Sequence, residues 1–293
     1  MMLTQQLVNG LSLGMAYALI AVGFSLIFGI LNLINFAQGD VYAFAANIAL
    51  FLIGLQTGMW IAILLSIVLT GLLGVAINAV GLEPLRKKGS APITALITTL
   101  GIAYIIRNML AVFFGNERRA FPQIFSFIGD INVFGVVIQG AAIGVLVVSA
   151  VLIVGLTMMV DHTETGLSMK AVQENQKASM LVGVNVNTVV TVTFFVSSVC
   201  AGIAGVLVGS YYQVVYPTMG FMIGLKGFAA SILGGIEVVK GAIVGGLIIG
   251  LSESLAATFI GGTYRDVVAF VILILVLIVK PAGIFGKKAI TKV

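Results

Sequence analysis

Two charged side chains stand inside long apolar runs of this 293-residue sequence, and they are its first candidates for chemistry. Arg107 lies in IAYIIRNMLAV and Glu253 lies in IIGLSESLAATF. An unpaired charge at the centre of a bilayer costs at least about 2.5 to 3.5 kcal/mol on insertion scales, so each must face protein, water or a partner. An ion pair between Arg107 and Glu253 is one hypothesis, and a structural role is favoured over a role in transport.

No arrangement typical of an enzyme accompanies these charges. His162 is the only histidine, which excludes HExxH and other histidine-based metal sites or triads. No G-x-x-x-x-G-K-[ST] loop is present to bind a nucleotide. The sequence therefore predicts a chain that is not an enzyme and has no cofactor or metal of its own, so an ATP-driven process would need ATPases on other chains.

Two polar or glycine-rich interruptions of apolar sequence are candidates for a transport pathway. The first is Asn35-Phe36-Ala37-Gln38-Gly39-Asp40, and the second runs from Lys226-Gly227 to Gly234-Gly235. Unwound backbone at membrane depth is tolerated only where protein or a water-filled cavity satisfies its polar groups. Transporters often place such broken helices in both halves of the molecule, with the substrate between them. Tight turns at the membrane interface are the alternative.

The elements that position these residues belong in lipid. Hydrophobic residues make up 60% of the chain and charged residues 9%, against about 25% charged in soluble domains. Continuous apolar runs recur that are long enough to cross a hydrocarbon core of about 30 Å as helices. A barrel would show apolar and polar residues in alternation. The sequence therefore predicts an all-α, polytopic integral membrane bundle.

We predict about eight transmembrane helices and one short or broken helix, within a single domain that covers residues 1–293. The short segment runs from Gly220 to Gly235 and carries Lys226. The eight spans run roughly from Leu7 to Leu31, Val41 to Leu55, Trp60 to Val80, Ile93 to Phe114, Val136 to Val160, Val189 to Gly209, Gly241 to Ile260 and Asp266 to Val279.

Lysine and arginine in short loops predict the orientation of the chain. The most basic segments are predicted to be cytoplasmic, which places residues 116–135 outside, residues 161–188 inside and the N-terminus outside. Arg118 and Arg119 are a local exception. The net charge of +5 follows from such loops, so no nucleic-acid partner is predicted. The basic segments contain Arg86, Lys87 and Lys88 in a loop and Lys287, Lys288 and Lys292 in the tail.

Four glycine pairs have the small-xxx-small spacing that lets helices approach closely in lipid. Packing within one bundle is the favoured interpretation, and a dimer interface is the alternative. The pairs are Gly10 with Gly14, Gly205 with Gly209, Gly241 with Gly245, and Gly246 with Gly250.

One polar, helix-prone segment stands out in this apolar chain, TGLSMKAVQENQKASMLVGVN from Thr165 to Asn185. We predict a helix that is capped by Thr165 or Ser168 and ends at Gly183. The segment has no aromatic residue and only two lysines, so docking in a groove of a partner protein fits better than lying in the membrane interface. Its charges at helical spacing are Lys170, Glu174 and Lys177, and its apolar face is predicted to be Leu167, Ala171, Ala178 and Leu181.

Several motifs in order give the chain a family resemblance that covers nearly all of its 293 residues. They are NGLSLGMAYALIAVGFSLIFGI with INFAQGD, the polar segment, YPTMGFMIGLKGFAASILGGI, GAIVGGLIIGLSE, DVVAF and KPAGIFG. The sequence resembles the branched-chain amino acid permeases of bacterial ABC importers, specifically the smaller permease subunit. The polar segment resembles the coupling loop of such permeases.

The resemblance implies an ABC importer permease fold in the bacterial inner membrane. It also implies a second, related permease, two cytoplasmic ATPases that carry ATP and Mg²⁺, and a periplasmic or lipid-anchored binding protein. Family members often carry arginine where this chain has Leu167 and Lys170. By matching position, the coupling helix would contain Gly166, Lys170, Ala171, Glu174, Ala178 and Gly183. The residues that match motifs flanking the pathway are Asn35, Phe36, Gln38, Gly39, Lys226, Gly234 and Gly235.

Two other functions stay open at this point. Related permeases import urea, short amides or other neutral amino acids, and this chain alone does not separate those substrates. An ion-coupled secondary transporter or a channel is a different class, which would leave the polar segment without a role.

Overall fold

The apolar runs form helices because a backbone in lipid must satisfy its own hydrogen-bonding groups. The computed structural model describes residues 2–133 and 136–286. Within them the helices are α1 (Met2–Leu31), α2 (Gln38–Gly54), α3 (Met59–Ala76), α4 (Glu83–Lys87), α5 (Pro92–Phe114), α6 (Gly140–His162), α7 (Glu164–Glu174), α8 (Gln176–Leu181), α9 (Val186–Tyr212), α10 (Met219–Gly234), α11 (Val239–Phe259) and α12 (Arg265–Val279).

Short elements complete the chain. A π-helical turn at Ile77–Leu82 joins α3 to α4, and a 3₁₀ turn at Gly262–Tyr264 precedes α12. Two small antiparallel pairs lie outside the helices, β1 with β4 and β2 with β3. The strands are β1 (Arg119–Ala120), β2 (Ile131–Val133), β3 (Val136–Ile138) and β4 (Val214–Val215).

The predicted helical membrane architecture is confirmed in the described part of the chain. Seven helical stretches there are long and apolar enough to cross a membrane, and α2 and α10 are shorter apolar helices of 17 and 16 residues. The segment from Gly220 to Gly235 is therefore short, as predicted, but it is not broken. Helix α10 continues through Lys226 and Gly227, and the chain turns only at Gly235, which has a φ of 110°.

The helices run alternately between two ends of the bundle. One end carries α7 and α8, the start of α9 and the turn between α10 and α11, and we call it the α7 end. The other end carries β1, β4 and the 3₁₀ turn before α12, and we call it the β1 end. The basic tail residues Lys287, Lys288 and Lys292 lie outside the described residues.

Small residues bring α1 and α11 together as antiparallel neighbours. A Cβ at Gly14 would lie 2.9 Å from the Cα of Leu247, and one at Gly246 would lie 2.5 Å from the Cα of Ala18. Gly205 packs in the same way on the backbone of Tyr42. Members of each predicted glycine pair thus pack inside this chain, as the favoured interpretation expected.

The segment after α12 returns to the α7 end and binds the turn that follows α10. The backbone N–H of Ile284 donates to the carbonyl of Leu233 at 2.9 Å, and the N–H of Phe285 donates to that of Gly234 at 2.9 Å. These bonds satisfy carbonyls that the end of α10 leaves free. They also fix the position of the turn relative to the last helix.

Candidate functional site

Arg107 of α5 forms a two-pronged ion pair with Asp40 in the first turn of α2. Its Nε and Nη2 atoms each lie 2.9 Å from a different carboxylate oxygen. The Asp40 side chain is 1% exposed and that of Arg107 is 17% exposed. The guanidinium also lies 4.9 Å from the ring centre of Phe221 and 5.4 Å from that of Tyr104, which adds cation–π attraction on the less buried side.

A second cluster, buried except for Asp266, joins four helices through Lys226 of α10. Its Nζ lies 3.0 Å from Glu253 Oε2 on α11 and 2.7 Å from Asp266 Oδ1 on α12. The hydroxyl of Tyr17 on α1 donates to the same Glu253 oxygen at 2.9 Å. Ion pairs of this kind are tolerated in a protein interior when hydrogen bonds satisfy the remaining polar atoms.

The predicted pair of Arg107 with Glu253 is therefore wrong. The sequence showed correctly that both charges need partners, but their partners are Asp40 and Lys226, two charged residues within the predicted interruptions. Asp266 and Tyr17 were not predicted as partners. Asp266 lies at the start of one predicted span and Tyr17 lies inside another, and neither position stands out in the sequence. A search for opposite charges among all the intramembrane positions would have proposed Asp40 and Lys226.

The interruption between α1 and α2 is a genuine turn, held by side chains of neighbouring helices. Asn35 Oδ1 accepts from the N–H of Ala37 at 3.1 Å, and the N–H of Phe36 donates to Thr99 Oγ1 at 3.3 Å. The amide of Gln38 donates to both the carbonyl and the hydroxyl of Ser197 at 2.8 Å. Protein groups thus satisfy much of this non-helical backbone, as membrane depth requires.

Gly39 brings α2 against α10. A Cβ at Gly39 would lie 2.8 Å from the Cα of Gly224 and would overlap the carbonyl oxygen of Gly220. The first predicted pathway segment therefore packs on Gly220 and Gly224, which precede the second segment, and not on the glycines at the end of α10. Gly234 and Gly235 lie at the α7 end, where Gly234 packs on Gly241 and binds the segment after α12.

A cavity of about 350 Å³ enters from the β1 end and reaches Lys226. Arg118 lines it and lies with its guanidinium 5.3 Å from the ring centre of Tyr216. Its neighbour Arg119 donates to Asn47 Oδ1 at 2.6 Å, and desolvation lowers the pKa of the Arg119 guanidinium. The two arginines that break the predicted loop-charge rule thus have structural contacts at this end.

The polar segment forms two helices, where a single helix was predicted. Thr163 caps α7 by accepting from the N–H of Gly166 at 3.1 Å, so the cap is neither Thr165 nor Ser168. Asn175 has extended backbone angles and caps α8 by accepting from the N–H of Ala178 at 3.0 Å. The predicted end at Gly183 is confirmed by its φ of 88°, which favours glycine.

The charges of the polar segment also differ from their predicted pairing. Lys170 binds Asp161 at the end of α6, with 2.8 Å between Nζ and Oδ1. The break at Asn175 separates Lys177 from the helix that carries Lys170 and Glu174, so the predicted ladder of three charges does not form. Lys170 and Glu174 instead line an open cavity of about 620 Å³ between α7 and the turn after α10.

Two glutamines tie the polar segment to the bundle. The amide of Gln173 donates to the carbonyl of Glu237 in the turn between α10 and α11 at 3.3 Å. The amide of Gln176 donates to the carbonyl of Ile30 in the last turn of α1 at 2.9 Å. Neither contact was predicted, because a glutamine in a polar helix gives no indication of its partner.

The apolar residues of the segment divide between a buried and an exposed face. Met169 and Val172 are buried, and Gly166 packs against the last turn of α6. Leu167, Leu181 and Val182 are 69%, 89% and 78% exposed. Ala171 is half-buried, whereas Ala178 is exposed. The α7 end therefore displays three exposed apolar side chains, Leu167 on α7 and Leu181 and Val182 at the end of α8.

These features define a class of protein: a polytopic helical membrane transport protein, with a cavity entering one end and a polar helical segment displayed at the other. No group of three or more His, Cys, Asp or Glu residues that could hold a metal occurs in residues 2–133 and 136–286. The chain belongs to the family described as branched-chain amino acid transport system, permease component, whose model matches residues 6–277.

Individual relatives agree with this membership. The chain is 38% identical to the high-affinity branched-chain amino acid transport system permease protein BraD of Pseudomonas aeruginosa, over 99% of this chain and 97% of that protein. It is 35% identical to LivH of Escherichia coli K12, with the same coverage and the same description. A solved structure, PsaBC from Streptococcus pneumoniae in complex with Fab, shares the fold with a TM-score of 0.52 at 13% identity, over 94% of this chain and 92% of that chain.

Proposed function

We propose that this chain is the permease subunit of an ABC importer that carries branched-chain amino acids across the bacterial inner membrane. In this proposal two separate cytoplasmic ATPase subunits hydrolyse ATP with Mg²⁺, a second related permease completes the pathway, and a periplasmic or lipid-anchored binding protein delivers the substrate. Membership of the permease family and the similarity to BraD and LivH support the substrate class. The chain itself performs no hydrolysis.

The observation that carries the coupling part of the proposal is the attachment of α7 and α8 to the bundle. Gln173 and Gln176 bind the turn after α10 and the end of α1, so a displacement of the segment would pull on both helices. Helix α10 carries Lys226 and α1 carries Tyr17, which are members of one buried cluster. Motion imposed at the α7 end thus has a path of direct contacts to the middle of the bundle.

The exposed side chains of Leu167, Leu181 and Val182 are the proposed contact with an ATPase. An amphipathic helix that lays apolar side chains into a groove is a common mode of protein recognition. ATP-driven closure of the ATPase pair would then move α7 and α8 and alternate the access of the pathway. Glu174 and Lys170 line the open cavity at the same end and would supply charges for the rim of that contact.

The test uses Leu181→Asp and Ala178→Asp in the complete importer, reconstituted in proteoliposomes with its binding protein. Both side chains are exposed, so folding should be unaffected, while a desolvated carboxylate should weaken docking by about tenfold or more. We expect loss of ATP-dependent leucine uptake and of ATPase co-purification. Ile131→Asp, which places the same charge at an exposed position of β2, is the control and should retain ATPase binding.

Wild-type uptake and stimulated ATP hydrolysis in both Leu181→Asp and Ala178→Asp would refute the coupling assignment. The substrate class has a separate readout. Unlabelled isoleucine and valine should compete with leucine uptake by the wild-type importer, whereas urea should not. Uptake driven by an ion gradient without the ATPases would instead favour a secondary transporter.

A further inference from the structure

The cavity at the β1 end is a built polar site deep in an apolar bundle. Exposed Arg118 and half-buried Val214 line it together with the buried side chains of Tyr17, Lys226 and Glu253. Its volume of about 350 Å³ falls within the range of small-molecule sites. In the predicted orientation this end faces outside, where the proposed binding protein would deliver substrate. The cavity therefore has the size and the position of a site for the transported solute.

Charges of both signs line this cavity, and they are not all paired with one another. Lys226 is shared by Glu253 and Asp266, so two carboxylates face one ammonium group and leave an excess negative charge. Arg118 and Arg265 also line the cavity, and among the described residues neither forms a salt bridge. A ligand that brings one positive and one negative group would complement both parts of the site.

Unpartnered donors support a ligand that accepts hydrogen bonds. The hydroxyl of Tyr42 lines the cavity and has no hydrogen-bond partner in the described structure, although Tyr42 is 0% exposed. The Nε atom of Arg265 is likewise buried without a partner. A buried donor left unsatisfied costs about 1 to 3 kcal/mol, and more for a charged group, so a carboxylate placed here would relieve that cost.

Apolar side chains complete the lining. Met219, Met222 and Ile223 project from the first half of α10 into the same space. Methionine adapts its shape to different apolar groups, since its side chain is unbranched and polarisable. This part of the cavity suits an aliphatic side chain rather than a sugar or a strongly polar solute.

We propose that this cavity binds the zwitterion of a free amino acid with an aliphatic side chain. The ammonium group faces Glu253 and Asp266, the carboxylate binds Arg265 and Tyr42, and the side chain packs on Met222. This inference rests on the proposed function and deepens it, because it places a substrate site in the permease as well as in the binding protein.

The first experiment measures binding of radiolabelled leucine to the purified complex of permeases and ATPases, without the binding protein. Tyr42→Phe keeps the ring and removes a hydroxyl that bonds to nothing in the described structure, so protein stability should not fall. We expect the dissociation constant for leucine to rise about tenfold. Ser149→Ala is the matched control, because it removes another buried, unpartnered hydroxyl that lies outside the cavity lining.

The second experiment tests whether the cavity recognises both charged groups of the ligand. In competition with leucine, 3-methylbutylamine lacks the carboxylate and 4-methylpentanoate lacks the ammonium group. Each should bind at least about tenfold more weakly than leucine, because each leaves one charged part of the site unpaired. Filling the space with Met222→Trp should also abolish binding, whereas Val199→Trp in a separate apolar pocket should not.

The outcomes separate this inference from the proposed function. Leucine uptake by the wild-type importer, together with absent leucine binding or with unchanged binding in Tyr42→Phe and Met222→Trp, would overturn the cavity assignment alone. Equal competition by the two singly charged analogues would overturn the zwitterion. Absence of any amino-acid uptake by the wild-type importer would overturn the proposed function and this site with it.

Discussion

The buried charges of this bundle are bound in pairs or clusters, and that arrangement determines how much each side chain contributes to protein stability. Asp40 accepts two hydrogen bonds from Arg107, and Lys226 lies between two carboxylates. Forming such a pair adds little stability, because desolvation offsets much of the attraction. Removing one partner is different, since the other charge is then left buried and unpaired.

Arg107→Met should therefore destabilise the protein by about 3 to 5 kcal/mol, because it leaves the carboxylate of Asp40 without its partner. The double variant Arg107→Met with Asp40→Leu should recover most of that loss. The measurement is the temperature at which half of the detergent-purified protein loses its monodisperse peak in size-exclusion chromatography.

Lys87→Met is the control for this experiment. It breaks an exposed pair with Glu83 on α4 and should change stability by less than about 1 kcal/mol. A double variant as unstable as Arg107→Met would contradict the pairing, since it would show that Arg107 acts through other contacts.

The sequence predicted which residues need partners but not which partners they have. The charges of Arg107 and Glu253 stand out against apolar neighbours, so their need for a counter-charge follows from composition alone. Which helices are adjacent, and at what height, depends on packing between distant segments. Asp40 and Arg107 are brought to the same level because α2 begins beside the middle of α5, where Phe36 binds Thr99.

At the scale of elements, glycines decide which helices touch. Gly39 and Gly220 allow α2 and α10 to approach until backbone meets backbone. In lipid the hydrophobic effect does not drive helices together, because the lipid tails are as apolar as the side chains. Such close packing is therefore a main source of helix association. The two ion clusters flank this contact, because Asp40 follows Gly39 and Lys226 lies six positions after Gly220.

Gly39→Ala should separate α2 from α10, because the added methyl group would overlap the carbonyl oxygen of Gly220. We expect a loss of about 1 to 3 kcal/mol, measured by the same thermal assay, and a fall in leucine uptake. Gly54→Ala on the same helix meets no atom within 4 Å and should be neutral or slightly stabilising. Equal stability of the two variants would show that the contact between α2 and α10 is not tight.

The presence of the helices was predictable from the sequence, whereas their breaks and their contacts were less so. Long apolar runs and the isolated polar segment predict the spans and the displayed helices, because solvent preference acts on each segment independently. The break of the polar segment at Asn175 was not predicted. An asparagine side chain can cap a new helix or lie within a continuous one, and the sequence alone does not decide between the two. The contacts of Gln173 and Gln176 depend on the bundle beneath them.

At the scale of the whole molecule, the two candidate sites lie at opposite ends and are joined by the same helices. At the α7 end, Gln176 binds the last turn of α1 and Gln173 binds the turn that follows α10. Both helices also contribute residues to the Lys226 cluster beneath the cavity. An importer that is driven from the cytoplasm needs this arrangement with the α7 end inside. Orientation is thus the property on which the proposed mechanism depends.

Cysteine labelling tests that orientation with little background, because Cys200 is the only cysteine and is buried. A membrane-impermeant maleimide applied to intact spheroplasts should label Phe127→Cys, an exposed position near the β1 end, and should leave the wild type unlabelled. Thr165→Cys on α7 should label only after the membrane is permeabilised. Labelling of Thr165→Cys in intact spheroplasts would place α7 outside, which would remove the proposed ATPase contact and the delivery of substrate to the cavity together.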